Sequence, residues 1–154
     1  MSKADITLLK KLREETQAGI ADVRMALEET DNNYDKAKDW IKQRGMDKAA
    51  KKGDRETGSG LIESYIHGTG KVGAMIELDC ETDFVARTDE FKSLAHEIAM
   101  QVAAMKPESV EKLLEQDYIR DGSMTIDKLI KATIGKLGEN IVLKRFKVFE
   151  LGAE

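Results

Sequence analysis

Residues 72–80 alternate without a break. Val72, Ala74, Ile76, Leu78 and Cys80 fall on one side of an extended chain, and Gly73, Met75, Glu77 and Asp79 on the other. Side chains two apart share a face of a strand, so this run predicts a strand with one face buried and the other open. Upstream, Leu61 to His67 is a second β-like run, and Gly68-Thr69-Gly70-Lys71 between them reads as a hairpin turn.

The residues that follow read as the cover for that apolar face. Phe91, Leu94, Ala95, Ile98, Val102 and Met105 recur at helical spacing, with Thr88 or Asp89 as cap and Pro107 as the end. Ser109 to Gln116 reads as a short helix and Asp121-Gly122-Ser123 as a turn. Thr125 caps another stripe, Ile126, Leu129, Ile130, Ile134 and Leu137, which Gly138 stops. Ile141 to Leu151 is rich in β-branched and aromatic residues and reads as a last strand. Its charges at Lys144, Arg145 and Lys147 spoil the alternation, which points to an edge position or a bulge. Strand, strand, helices, strand is an α+β layer arrangement: a small antiparallel three-stranded sheet packed with helices.

The N-terminal third has a different period. Ile6, Leu9 and Leu12 form one helical stripe, interrupted at Thr16-Gln17-Ala18-Gly19. Ile20, Val23, Ala26 and Leu27 form a second, followed by the turn cluster Thr30-Asp31-Asn32-Asn33. Tyr34, Ala37, Trp40 and Ile41 form a third, with Gly45 as its expected stop. The reading is a three-helix bundle over residues 1–46, a partly helical linker over 47–59, which holds Gly53 and Gly58, and an α+β domain over 60–154 that opens on Gly60.

Composition narrows the function. The 154 residues are 41% apolar, too many for a disordered chain, and none of the apolar runs approaches the ~18 residues of a membrane span. Residues 1–55 carry 13 Lys+Arg against 11 Asp+Glu, a net of +2, while the remainder carries a net of −6. That is no basic nucleic-acid footprint, so the expected partner is a protein, with no direct nucleic acid and no membrane. A single cysteine and two histidines leave little for a disulfide framework or a zinc site. Met1-Ser2-Lys3-Ala4-Asp5 has no apolar signal run, so the chain reads as cytoplasmic, or as a mature organellar matrix protein.

No phosphate-loop, dinucleotide, zinc-protease or nucleophile-elbow motif occurs. The acids Glu77, Asp79, Glu81 and Asp83 lack the glycine turn of a calcium loop and read as a solvated strand face. Cys80 closes the apolar face and reads as a small core residue; a thiol enzyme would need it exposed, with a depressed pKa. The expectation is no enzyme, no metal and no cofactor. One segment stands out. Cys80-Glu81-Thr82-Asp83-Phe84-Val85-Ala86-Arg87 connects the strand to the long helix, where binding residues tend to sit. Phe84 there either stands exposed or folds back on the core.

That segment resembles the signature of the bacterial elongation factor Ts family. Leu12 to Val23 resembles the family's N-terminal module, and Ala49-Ala50-Lys51-Lys52 its linker. Ile134-Gly135-Lys136-Leu137-Gly138-Glu139-Asn140-Ile141 is similar to its helix-to-last-strand junction. The resemblance implies a UBA-like N-terminal module and a guanine nucleotide exchange factor that binds elongation factor Tu with GDP and promotes GDP release at the magnesium and phosphate site. It implies Phe84 as a wedge between partner helices, Asp83 as polar contact and anchor, and Thr82 and Val85 as holding the segment's shape. Arg13, Ile20 and Ala21 match the contact residues of the N-terminal module. Gln17 stands where the family usually has glycine, and Ile20 and Ala21 where methionines are common. Only one core copy fits the chain, and for a single-core member the resemblance implies a homodimer built through the sheet and last strand. The competing reading is a UBA-like protein-binding module with a dimerising core and no exchange activity.

Overall fold

The structure, a computed structural model, describes residues 2–153. Helix α1 (Ile6–Thr16) starts at Asp5, whose carboxylate accepts from the Leu8 amide at 3.0 Å. It ends at Gln17 with φ 58°, a left-handed residue where glycine would avoid about 1 kcal/mol of strain. Helix α2 (Ile20–Glu29) follows, and α3 (Tyr34–Lys52) starts at the Asn33 cap. Leu12, Val23, Ala26, Leu27 and Ala37 form a small buried core, with Trp40 and Ile41 packed against it. The Trp40 indole N–H donates to Glu29 at 2.7 Å.

Gly45 does not stop α3. The helix runs seven residues past it, through the expected boundary at 46 and 47, and Ala49 is buried in the larger core. Gly45 instead lies against Gly135 of α7 (Ile126–Leu137). A Cβ on Gly135 would stand 2.8 Å from the Gly45 Cα. The absence of a side chain on Gly135 lets the helix backbones touch, and that packing offsets the roughly 1 kcal/mol a mid-helix glycine costs there. One helix thus belongs to both cores.

Strands β1 (Ser59–His67), β2 (Val72–Cys80) and β5 (Ile141–Glu150) make an antiparallel sheet in the order β1-β2-β5. The α+β reading therefore holds. The last strand lies at an edge and also carries a bulge: Glu77 pairs with Arg145 and Leu78 with Leu143, leaving Lys144 unpaired between them. Ala74, Ile76, Leu78 and Cys80 face α5 (Asp89–Met105), whose Phe91, Leu94, Ile98 and Val102 complete the main core. Thr88, rather than Asp89, is the α5 cap, accepting from the Phe91 amide at 3.2 Å. Helix α6 (Val110–Glu115) starts at Ser109. Asp121-Gly122-Ser123 is not the expected turn: it lies in β4 (Asp121–Thr125), which pairs with β3 (Asp117–Tyr118) in a two-residue ladder. Buried Gln101 holds this small hairpin, donating to the Asp117 carbonyl at 3.0 Å and accepting from the Ile119 amide at 3.0 Å. Among the described residues, no helix is long and apolar enough to cross a membrane.

The outer face of the sheet is uncovered. Ile62, Ile66, Met75 and Phe149 are exposed there, beside the acids Glu77 and Asp79. Partial burial, then the hydrogen bond and charge of Glu77, push the Asp79 carboxyl up to about 6. Glu77 is held low by Asp79 and by Arg145, which donates to it at 2.9 Å. The folded chain therefore binds the Asp79 proton more tightly than an unfolded chain, where aspartate titrates near ~3.9. The favourable contribution is full below that value and is lost as pH rises through 6. Asp79→Asn should raise the melting temperature at pH 7.5, with the gain shrinking as pH falls through 6 towards 4. A gain constant across that range would mean the two carboxyls do not share a proton.

Candidate functional site: the connection from β2 to α5

Between β2 and α5 the chain makes one turn of helix, α4 (Asp83–Ala86). Its carbonyls and amides close locally: Ala86 donates to the Thr82 carbonyl at 3.2 Å, and Thr88 to the Val85 carbonyl at 3.0 Å. Val85 and Ala86 point into the main core. A single turn cannot bury all of its residues, so Asp83 and Phe84 are turned outward. Phe84 is 82% exposed. The alternative in which this ring folds back on the core is excluded.

Four side chains brace the turn. Thr82 caps it, with a long 3.4 Å contact from the Val85 amide to the Thr82 hydroxyl. Ser59, at the start of β1, donates to the Asp83 carboxylate at 2.5 Å. The Thr88 hydroxyl donates to the Val85 carbonyl at 2.7 Å. Glu139, just past the left-handed Gly138 that ends α7, accepts three hydrogen bonds. They come from the amides of Glu81 and Thr82 at 3.1 and 3.0 Å, and from the Thr82 hydroxyl at 2.7 Å. The four acids Glu77, Asp79, Glu81 and Asp83 do not converge. Glu81 turns to the Asn140 amide at 2.8 Å and to Arg55 at 3.6 Å, Asp83 turns to Ser59, and the other two share the outer sheet face.

Cys80 is fully buried and its thiol donates to the Thr82 carbonyl at 3.2 Å. Burial first, then the charge of Glu139, push it up to about 11. A buried, protonated thiol is no nucleophile, so the thiol-enzyme reading has no geometry behind it.

Arg13, Ile20 and Ala21 are all exposed, at the corner where α1 gives way to α2. The left-handed Gln17 shapes that corner. Beneath it a cleft of about 570 Å³ opens between the corner, α3 and α7, lined among others by Gln17, Asp22, Lys42, Lys48 and Lys136. Asp22 is paired with Lys48 and lies 3.8 Å from Arg44, so much of the charge in the cleft is internally satisfied.

Sequence reasoning singled out the segment, left the exposure of Phe84 open and missed what holds the turn. Ser59 and Glu139 lie 24 and 57 residues from their partners. Glu139 stands in a block that resembled the family, but an acid after a helix-stopping glycine has no distinguishing spacing.

The sequence profile described as Elongation factor TS matches residues 81–154, the segment that begins at this connection. The chain is 40% identical to Elongation factor Ts of Oleidesulfovibrio alaskensis, over 99% of this chain and 100% of that protein. It is 43% identical to Elongation factor Ts of Coprothermobacter proteolyticus, over 95% and 97% respectively. With Elongation factor Ts of Nostoc sp. it shares 46% identity over 98% of this chain but 48% of that protein. The first of these alignments runs over 198 positions, more than the 154 residues here, so that relative carries residues opposite gaps in this chain. Identity on this scale across whole chains, with the braced connection inside the matched segment, establishes that the chain belongs to the elongation factor Ts family.

Proposed function

We propose that this chain is a guanine nucleotide exchange factor of translation elongation. It binds elongation factor Tu in its GDP form, disturbs the magnesium and phosphate site there, and speeds GDP release so that the GTP form is regenerated. The observation that carries this reading is Phe84, a large ring left in water on a turn that four side chains hold rigid. An exposed aromatic on a fixed backbone is suited to anchor an interface, because little order remains to be imposed on binding.

In this reading Phe84 wedges between helices of the partner's nucleotide domain, and Asp83 makes the polar contact beside it. Thr82 and Val85 keep the segment in shape. Arg13, Ile20 and Ala21 give the N-terminal module a second grip. Residues 1–46 act as a UBA-like module and 60–154 as the core domain, with 47–59, helical through Lys52, as the link between them. Magnesium neutralises charge between the phosphates, so disturbing its site weakens GDP binding. Linkage makes the effect reciprocal: GDP weakens the factor's binding by the same ratio, typically ~1–3 kcal/mol. The factor therefore cycles, and makes and breaks no covalent bond. It needs no cofactor of its own, and its work is in the cytoplasm.

The test is release of a fluorescent GDP from elongation factor Tu. Acceleration by this chain supports the reading. Unchanged release with a matched partner overturns it in favour of a UBA-like binding module without exchange activity.

The reading includes a homodimer through the sheet and its last strand. Ile62, Ile66, Met75 and Phe149 there make an apolar surface of the kind that self-association covers. Sedimentation at micromolar concentration should give twice the 17.2 kDa chain mass. A monomer only would sink that part of the proposal and leave the exchange role standing.

A further inference from the structure

We infer that Glu139 is a positioning residue for the Phe84 wedge, an inference that rests on the exchange reading for its functional consequence. Glu139 is not on the segment it holds. It sits two residues past the end of α7, 57 residues from Thr82, yet its carboxylate accepts from two successive amides and one hydroxyl of the segment. These groups lie between the end of β2 and the start of α4, where neither ladder nor helix supplies a partner for the two amides. An anionic acceptor on adjacent amides fixes the direction in which the backbone leaves the strand. That direction determines where the α4 turn presents Phe84.

The neighbouring residue completes the clamp from the other side. The Asn140 amide donates to Glu81 at 2.8 Å, so Glu81 is held by its side chain as well as its amide. The Asn140 side chain donates to the carbonyls of Arg55 at 2.9 Å and Gly53 at 3.4 Å. The junction after α7 therefore ties down both the wedge segment and the chain leaving α3.

The effect follows from population arithmetic. A segment that samples many conformations presents a competent wedge for only a fraction of the time, and the apparent dissociation constant rises by the reciprocal of that fraction. Once bound, the partner holds the segment itself. Loss of Glu139 thus raises the half-saturating factor concentration and leaves the maximal GDP-release rate near wild type.

The experiment compares Glu139→Ala and Glu139→Gln with wild type, alone and combined with Phe84→Ala. On the free factor, amide exchange at Glu81 and Thr82 is expected to rise about tenfold or more in Glu139→Ala, since each amide loses its acceptor. Amides inside α5, such as those of Ile98 and Val102, should keep their protection. With elongation factor Tu, the half-saturating concentration should rise about tenfold in Glu139→Ala and less in Glu139→Gln, which keeps one acceptor oxygen. In the Phe84→Ala background the Glu139 change should add almost nothing, because there is no wedge left to position.

Unchanged exchange at Glu81 and Thr82 would overturn the inference. So would loss of α5 protection in step with those amides, which would make Glu139 a stability residue only. Full additivity with Phe84→Ala would also overturn it. If wild type itself fails to release GDP, the exchange reading has failed, and the amide measurement still decides whether Glu139 positions the segment.

Discussion

Phe84→Ala should slow factor-stimulated GDP release about 30-fold at subsaturating factor, because burying a phenylalanine side chain is worth ~1.5–3 kcal/mol. The same substitution should leave the melting temperature within about 1–2 °C of wild type, since surface changes away from packed features cost under ~0.5 kcal/mol. The two measurements together are the informative result. Phe84 is 82% exposed in the free chain, so it contributes almost nothing to the fold. A core residue would lose stability and activity together; an interface anchor loses activity alone. A fall in melting temperature of many degrees would assign the ring to the fold after all. Fast release by the variant with an unchanged melting temperature would move the work to Asp83 or to the corner carrying Arg13, Ile20 and Ala21.

The second large effect concerns two glycines that face each other but are not equivalent. A Cβ built on Gly135 meets the Cα, carbonyl carbon and carbonyl oxygen of Gly45 at 2.8, 3.2 and 3.1 Å. All three are helix backbone atoms, which cannot turn aside as a side chain would. Gly135→Ala must therefore push α3 and α7 apart, and overpacking of this kind costs ~1–3 kcal/mol even though alanine is the better helix former. A Cβ on Gly45 meets only the Gly135 Cα, at 3.8 Å, an ordinary contact. Gly45→Ala should accordingly be neutral, or raise stability by up to about 1 kcal/mol. Thermal unfolding of both variants checks the pair. Equal losses would show that the helices part as readily at one glycine as at the other, and would refute the asymmetry.

Gly45 also shows where sequence reading stops. A glycine after a periodic stripe ordinarily marks a helix end, and locally nothing distinguishes this one. Its packing partner is a second glycine, Gly135, 90 positions away on α7, and the local sequence does not announce that contact. The residues whose partners are local were legible. The period-two run from Val72 to Cys80 became β2 with the same limits, and Gly138 ended α7 with φ 77°. The charges in the last strand announced an irregularity, and the bulge at Lys144 is where it falls. The β3–β4 ladder was not legible, because its short strands are held by Gln101 from a different element.

The site divides along the same line. That the segment from Thr82 to Val85 joins a strand to a helix could be read from the chain. Whether Phe84 faces water could not, because the answer depends on which of four residues the core has room for. Val85 and Ala86 fill that room, and Phe84 is left outside. The clamp from Glu139 was invisible for a simpler reason: three hydrogen bonds to backbone and hydroxyl leave no pattern in side-chain type.

Helix α3, shared by both cores, sets a length. Its 19 residues span about 28 Å at 1.5 Å per residue, and the chain that leaves it is caught by Asn140 within three residues. A flexible tether of the same length would let its two ends search for separate footholds and would tolerate partners of many shapes. A rigid spacer is a gauge. Under the exchange reading, the N-terminal corner and the Phe84 turn engage together only where the receiving sites lie at the matching separation, and then the second contact forms without a further search. In that reading, selectivity for a partner resides as much in the fixed interval as in the chemistry of either surface.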